Sequence, residues 1–223
     1  MPYRRTDNVI RRQAARRARI VEAARLAAAE GGMVAVQIVP VARRAGIATG
    51  TVYRYFSSKT ALVSAVVSAI SAEEIAAVRT AARAAPGPVS ALAASIATFA
   101  VRALRNRRLA WAVIAEPVDA DIERVRLAYR SALAEELQSR IAAAMKAGHL
   151  PQQDVTLSSS ALVGALLEGL LGPLAPDADG NPAQTREAVQ TLTLLSLRAL
   201  GVNDARARGL VVQVALPAIG EGA

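Results

Sequence analysis

The apolar positions of this chain recur at helical spacing almost from end to end. Within 16–30, Ile20, Ala23, Ala24 and Ala27 fall on one face, and Gly31-Gly32 stops the run. Two short helices are predicted next, over about 38–45 and 49–56. Pro40 sits in the first turn of the former, where its missing N–H costs nothing. Val39, Ala42 and Ala45 are predicted inward there, with Arg43 and Arg44 outward. Gly46 permits a sharp turn, and Ile47 plugs that turn into the core. Val52 and Phe56, four apart, are the inward anchors of the second short helix. Two short helices joined by a glycine turn form a helix-turn-helix pattern.

A connecting helix follows over 60–85, with Leu62, Val66 and Ile70 inward and Pro86-Gly87-Pro88 at its end. Further apolar helices are expected at 89–104, at 109–116 before Pro117, at 119–147, at 156–171 and at 185–200. The long one begins at Asp119 or Asp121 and carries the stripe Ile122, Val125, Tyr129, Leu133, Leu137, Ile141 and Met145. The predicted class is all-α: a three-helix head bearing the helix-turn-helix, and a helical-bundle body. The expected division is a flexible basic arm at 1–12, the head at 13–60, the connecting helix at 61–85, the body at 86–200 and a tail at 201–223. The tail either folds back or stays mobile. No internal repeat is visible.

Composition agrees with helices, since Ala is abundant and aromatics make up 3%. There is no Cys, which excludes disulfides and thiolate metal sites. The Arg-rich start has no apolar core of a secretory signal. The best candidate for a spanning run, Ala161–Leu171, is short and contains Glu168, so no membrane partner and a cytoplasmic location are expected.

Charge sharpens the picture through its location. Residues 1–60 hold 12 Lys/Arg against three acidic residues, and the remaining chain is balanced at 15 of each. The entire net charge of +9 therefore lies on the first quarter, which suggests a polyanion partner for that quarter alone. The face of the second short helix offers Thr49, Gly50, Thr51, Tyr53, Arg54 and Tyr55. Hydroxyls bond phosphates or base edges, Arg forks onto guanine, and Gly50 allows close approach. Lys59 falls in the first turn of the connecting helix behind Ser57 or Ser58 as cap. The helix dipole disfavours a cation there, and a bound phosphate would offset the cost. Double-stranded DNA is the expected partner, with a solvated basic tail as the bland alternative.

The run Arg19-Ile20, Ala23-Ala24, Gly32, Val41-Ala42, Ala45-Gly46-Ile47, Thr49-Gly50-Thr51-Val52-Tyr53, Tyr55-Phe56, Lys59 and Leu62 resembles the DNA-binding domain of the TetR family of transcriptional regulators. The resemblance covers about 48 residues, Arg19–Val66. It implies a three-helix head, a helical ligand-binding body and a homodimer, with DNA contacts at Thr49, Thr51, Tyr53, Tyr55 and Lys59. The chain departs from the pattern at Ala48 and Gln37, where Ser or Thr caps are usual, at Ala28 in place of Phe, and at Met33 in place of an aromatic. These changes predict a less tightly packed and capped head.

In the body, Phe99, Trp111, Tyr129 and Met145 stand out among Ala, Leu and Val, and either line a pocket or fill core. Glu116 and Glu168 lie in apolar surroundings and need a partner such as Arg126, Arg130 or Arg102, as a structural ion pair or a ligand anchor. Glu116 and Arg126 join the pocket candidates on that ground. His149 reads as a surface or cap residue. Leu162, Leu166, Gly169 and Leu170, with Leu192, Leu195 and Ala199, form stripes suited to a two-fold interface, with burial inside one protomer as the alternative.

These features predict a ligand-responsive transcriptional regulator, a repressor in the first instance, that binds a palindromic operator as a homodimer and is released by a hydrophobic or amphipathic effector. An activator of the same family and a sequence-neutral architectural DNA binder are the alternatives. No cofactor is expected. The sequence offers an enzyme little, with one His, no phosphate loop and no metal-spaced cluster.

Overall fold

The computed structural model describes residues 3–173, 175 and 181–213, with side chains from residue 8 onward. Among these the chain forms helices α1 (Tyr3–Gly31), α2 (Ile38–Arg44), α3 (Thr49–Tyr55), α4 (Lys59–Ala84), α5 (Pro88–Arg105), α6 (Arg107–Ile114), α7 (Ala120–Lys146), α8 (Val155–Leu171), α9 (Pro182–Ala199) and α10 (Asp204–Gln213), and a 3₁₀ turn at Met33–Ala35. The all-α expectation holds.

The head is α1 to α3 packed on the start of α4. Ile20, Ala24, Val36, Val41, Val52 and Leu62 meet in its centre, each at most 1% exposed. Ala28 and Met33 are buried in the same cluster. Gly46 adopts φ 63°, and the Ile47 N–H reaches back to the Ala42 carbonyl at 3.0 Å, closing the turn between α2 and α3. Ala48 and Gln37 begin α3 and α2 without a side-chain cap, as their residue types predict. Thr49 is the first helical residue of α3 and does not replace the missing cap.

Three features differ from the sequence reading, and the tail takes one of the two courses expected of it. The expected arm is helix, because α1 runs unbroken from Tyr3 and residues 3–19 contain good helix formers and neither Gly nor Pro. Val39 is 65% exposed while Val41 is buried, because Ile38, Val41 and Ala42 share the inner face of α2. The helix α4, and not Ala161–Leu171, is the one among the described residues that is long and apolar enough to cross a membrane, with a mean hydropathy of 1.7 over 18 residues. Its apolar side is used within the protein, since Leu62, Val66, Val67, Ile70 and Val78 are buried against α1, α5 and α7. The tail contributes α10, which folds back on α9 and α5 through Ala207 and Val211. Residues 214–223 and most of the loop before Pro182 lie outside the described residues.

The body wraps α5, which is buried over most of its length, inside a layer of α4, α7, α8 and α9. The long α7 buries Ile122, Tyr129, Leu133, Leu137 and Ile141 as predicted, with Val125 and Met145 half-buried. Asp119 starts it by accepting the Ile122 N–H at 3.1 Å.

Candidate DNA interface and effector cavity

Val52 and Phe56 point into the head, so the opposite side of α3 turns outward. Gly50, Tyr53 and Arg54 are exposed there, and Thr49, Thr51 and Tyr55 flank them half-buried. Tyr53, Ser58 and Lys59 share a shallow groove with Gln37, Val39 and Pro40. Ser58 caps α4 by accepting the Ala61 N–H at 3.0 Å, and Lys59 stands exposed in the first turn. Of the seven residues singled out for DNA, Gly50, Tyr53, Arg54 and Lys59 are exposed, and Tyr53 and Lys59 meet in one groove at the junction of α3 and α4. The Arg17 guanidinium lies over the Phe56 ring, 5.1 Å from its centroid, and ties α1 to the end of α3.

The family model described as "Bacterial regulatory proteins, tetR family" matches residues 20–66. The head is a tetR-family DNA-binding domain. The HTH-type transcriptional repressor KstR of Mycolicibacterium smegmatis is 51% identical over 51 residues, 23% of this chain and 25% of that protein. The KstR of Mycobacterium tuberculosis is 51% identical over the same length, 23% of each chain. The matched stretch spans only about a quarter of these curated relatives. The fold match extends further. A crystal structure of RolR in complex with resorcinol superposes with a TM-score of 0.68 at 22% identity, covering 95% of this chain and all of the other. The FadR regulator of Bacillus subtilis with stearoyl-CoA gives 0.67 at 19% identity, over 83% of this chain and 97% of the other. The tetR-type head thus carries sequence likeness, whereas the body shares architecture.

Beneath this tetR-type head, a cavity of about 190 Å³ opens among α4, α5, α6 and α7, with Arg25 of α1 at its edge. Ile70, Phe99, Leu109, Val113 and Ile114 form its apolar walls. Glu74 and Arg102 line it together as a forked pair at 2.6 and 2.7 Å, which raises the Arg102 pKa above its ordinary value. Arg25 binds Glu22 at 2.9 Å and lies 3.7 Å from Glu73. Tyr129 is 5% exposed and lines the same cavity, and its hydroxyl has no hydrogen-bond partner among the described residues. Burial pushes the Tyr129 pKa well above its ordinary value, with Glu74 adding to the rise.

Of the pocket candidates, Phe99 and Tyr129 meet at this cavity and the other four do not. Trp111 lies on the outer side of α6, 38% exposed. Met145 is half-buried at the far end of α7. Arg126 is 2% exposed and donates to the carbonyls of Ala112 and Glu116, while Arg130 donates to the Ile114 carbonyl at 2.8 Å. The two arginines satisfy the open C-terminal carbonyls of α6, where the helix dipole also favours cations. Desolvation lowers the Arg126 pKa, and its closest carboxylate contact is Glu123 at 3.7 Å. Glu116 also lies away from this cavity. Its Oε2 accepts the Met33 N–H at 2.8 Å, so a body carboxylate caps the 3₁₀ turn of the head. Gly32 makes this possible, since its φ is 75° and a Cβ there would fall 2.7 Å from that oxygen. Glu168 is exposed on the outside of α8, and so needs no buried partner. His149 is exposed just beyond α7, as expected of a surface residue.

The expected dimer stripe also divides. Leu162, Leu166, Leu170 and Leu192 are buried inside the protomer at 0–9% exposure, because α8 and α9 turn these residues toward α5 and α7 or toward each other. Their side chains are used in packing within the protomer. Leu195 is 57% exposed, and Gly169 and Ala199 are exposed as well. The outward side of α8 is instead Leu157, Ala161, Gly164, Ala165 and Glu168.

Sequence reasoning missed Arg25, Glu74, Leu109 and Val113 around the cavity. Glu74 and Arg102 are 28 residues apart on different helices, and no spacing rule links them.

Proposed function

We propose that the chain is a ligand-responsive transcriptional regulator, acting in the cytoplasm as a homodimeric repressor. Each protomer presents α3 to one half-site of a palindromic operator, with Tyr53 and Arg54 toward the bases and Lys59 on a phosphate. The KstR relatives are repressors by name, which favours repression over activation. The outward faces of α8 and α9, with Leu157 and Leu195, are the surfaces available for a partner protomer.

The observation that carries the regulatory part is the path from cavity to head. Helix α6 walls the cavity with Leu109, Val113 and Ile114, and the corner just after it grips the head twice. Glu116 holds the Met33 N–H at 2.8 Å, and Asp119 accepts the Thr60 hydroxyl at 3.2 Å. A molecule that shifts α6 therefore shifts the head relative to the body, and with it the spacing of the two recognition helices. A tenfold loss of operator affinity requires about 1.4 kcal/mol of such coupling.

The structural neighbours were crystallised with resorcinol and with stearoyl-CoA, ligands of very different size. The cavity of about 190 Å³ suits the smaller kind, because a cavity of roughly 150 Å³ already accommodates a benzene ring. The effector is read as a small amphipathic molecule with an apolar ring against Phe99 and an acceptor oxygen for the Tyr129 hydroxyl.

Gel retardation on the operator tests the reading. Tyr53→Ala and Lys59→Ala each abolish retardation while the elution volume of the dimer is unchanged. Retardation that survives both changes refutes the assignment, and binding without any protected site identifies a sequence-neutral binder instead.

A further inference from the structure

The family model matches from residue 20, so α1 carries 17 residues, 3–19, ahead of the matched stretch. This segment is a continuous part of α1, and every residue from 8 to 19 is exposed. Between 8 and 19 it holds five arginines and no acidic residue. Arg11, Arg12, Arg16 and Arg19 make no ion pair or hydrogen bond among the described residues. Arg12, Arg16 and Arg19 stand at i, i+4 and i+7, so they share one side of the helix at steps of about 5–6 Å.

The direction of this extension follows from contacts along α1. At its C-terminal end the neighbouring Met33 N–H is held by Glu116 of the body. Arg25 lies 3.7 Å from Glu73 of α4. Arg17 lies over Phe56, at the end of the recognition helix. Going toward the N-terminus, α1 therefore leaves the body, passes the recognition helix and continues on the side away from the body. Arg17 is already about 24 Å along the axis from Met33, and residues 3–16 add about 21 Å more. An uncompensated basic rod in that place has one polyanion at hand, the duplex that α3 occupies.

We infer that the helical extension of α1 lies along operator DNA outside the half-site, with Arg11, Arg12, Arg16 and Arg19 on backbone phosphates. It lengthens the footprint and strengthens binding without adding sequence preference, since phosphate contacts carry no base information. The inference rests on the reading of the chain as an operator-binding protein.

The test uses the full chain and a palindromic duplex that it selects from a random pool, kept with 15 flanking base pairs on each side. Operator affinity is measured by fluorescence anisotropy across a series of KCl concentrations, for the wild type and for the full-length R11A/R12A/R16A/R19A variant. Ala is the best helix former, so α1 persists, and circular dichroism checks this. Each lost phosphate contact lowers the salt slope by about 0.9, so four per extension lower that of a dimer by roughly 7. The dissociation constant rises at least tenfold at 0.15 M salt, and the footprint shrinks at both outer edges. The matching R11K/R12K/R16K/R19K variant keeps the wild-type slope. An alanine variant with the wild-type slope and footprint overturns the inference and leaves the operator reading standing. A full chain that selects no duplex overturns both.

Discussion

The Glu116 carboxylate, on the body, accepts the backbone N–H of Met33, in the head, at 2.8 Å. This one bond joins the end of the cavity-lining α6 to the corner between α1 and α2. Glu116→Ala removes the cap and costs about 1 kcal/mol of stability, in line with other lost helix-start caps. The more telling effect concerns regulation. The Glu116→Ala protein still retards operator DNA, but effector concentrations that release the wild type release it less. Glu116→Gln keeps an acceptor oxygen and stays close to wild type. Thermal melts and effector titrations in the gel assay measure the two effects, and full effector release by Glu116→Ala would refute the linkage.

Ala48 offers an improvement. It occupies the N-cap of α3 with extended φ −69° and ψ 143°, the conformation a capping Ser adopts, yet supplies no side-chain oxygen. Ala48→Ser is expected to stabilise the head by about 0.5–1 kcal/mol and to raise the melting temperature. A lower melting temperature contradicts this account of the cap.

The buried Tyr129 makes stability depend on alkaline pH. Its folded-state pKa is raised by burial above the ordinary value of 10.0. The folded state thus holds the proton after the unfolded state has released it. The contribution is complete below pH 10 and is lost as pH rises above it, at up to about 1.4 kcal/mol per pH unit. Tyr129→Phe removes this slope, so its denaturation midpoint falls less than that of the wild type between pH 9 and 11. Parallel decline of the two proteins would count against a buried, protonated Tyr129.

The divided dimer stripe is tested by a pair of substitutions. Leu166 is fully buried in the protomer, and Leu166→Ala should cost 2–5 kcal/mol without favouring monomers. Leu195 is 57% exposed, and Leu195→Glu should leave the protomer folded but shift light scattering toward the monomer mass. A monomeric Leu166→Ala protein of unchanged stability would restore the original stripe.

Helix positions were legible because each rests on local signals. The 3.6-residue apolar period, Gly46, Pro86-Gly87-Pro88 and the Asp119 cap all act within a few residues of themselves. The outward set on α3 was legible for the same reason, since Val52 and Phe56 fix the rotation of a seven-residue helix. The misjudged features depend on what lies across from a residue. Val39 against Val41 turned on which face of α2 packs inward, since Ile38, Val41 and Ala42 form its buried side. Glu116 looked like a buried charge in search of an arginine, and found a backbone N–H 83 residues away.

By itself the sequence determined the all-α class, the helix-turn-helix, the side of α3 that faces outward and the confinement of net positive charge to the first 60 residues. Periodicity, turn chemistry and charge are properties of the chain read along its length. Only the tertiary structure decided which leucines of α8 and α9 remain free for a partner, which side chains enclose the cavity, and that α1 extends as a helix past the recognition helix. Those outcomes depend on contacts between residues far apart in the chain, such as Glu74 with Arg102 and Arg17 with Phe56, and packing selects them from many pairings the sequence would allow.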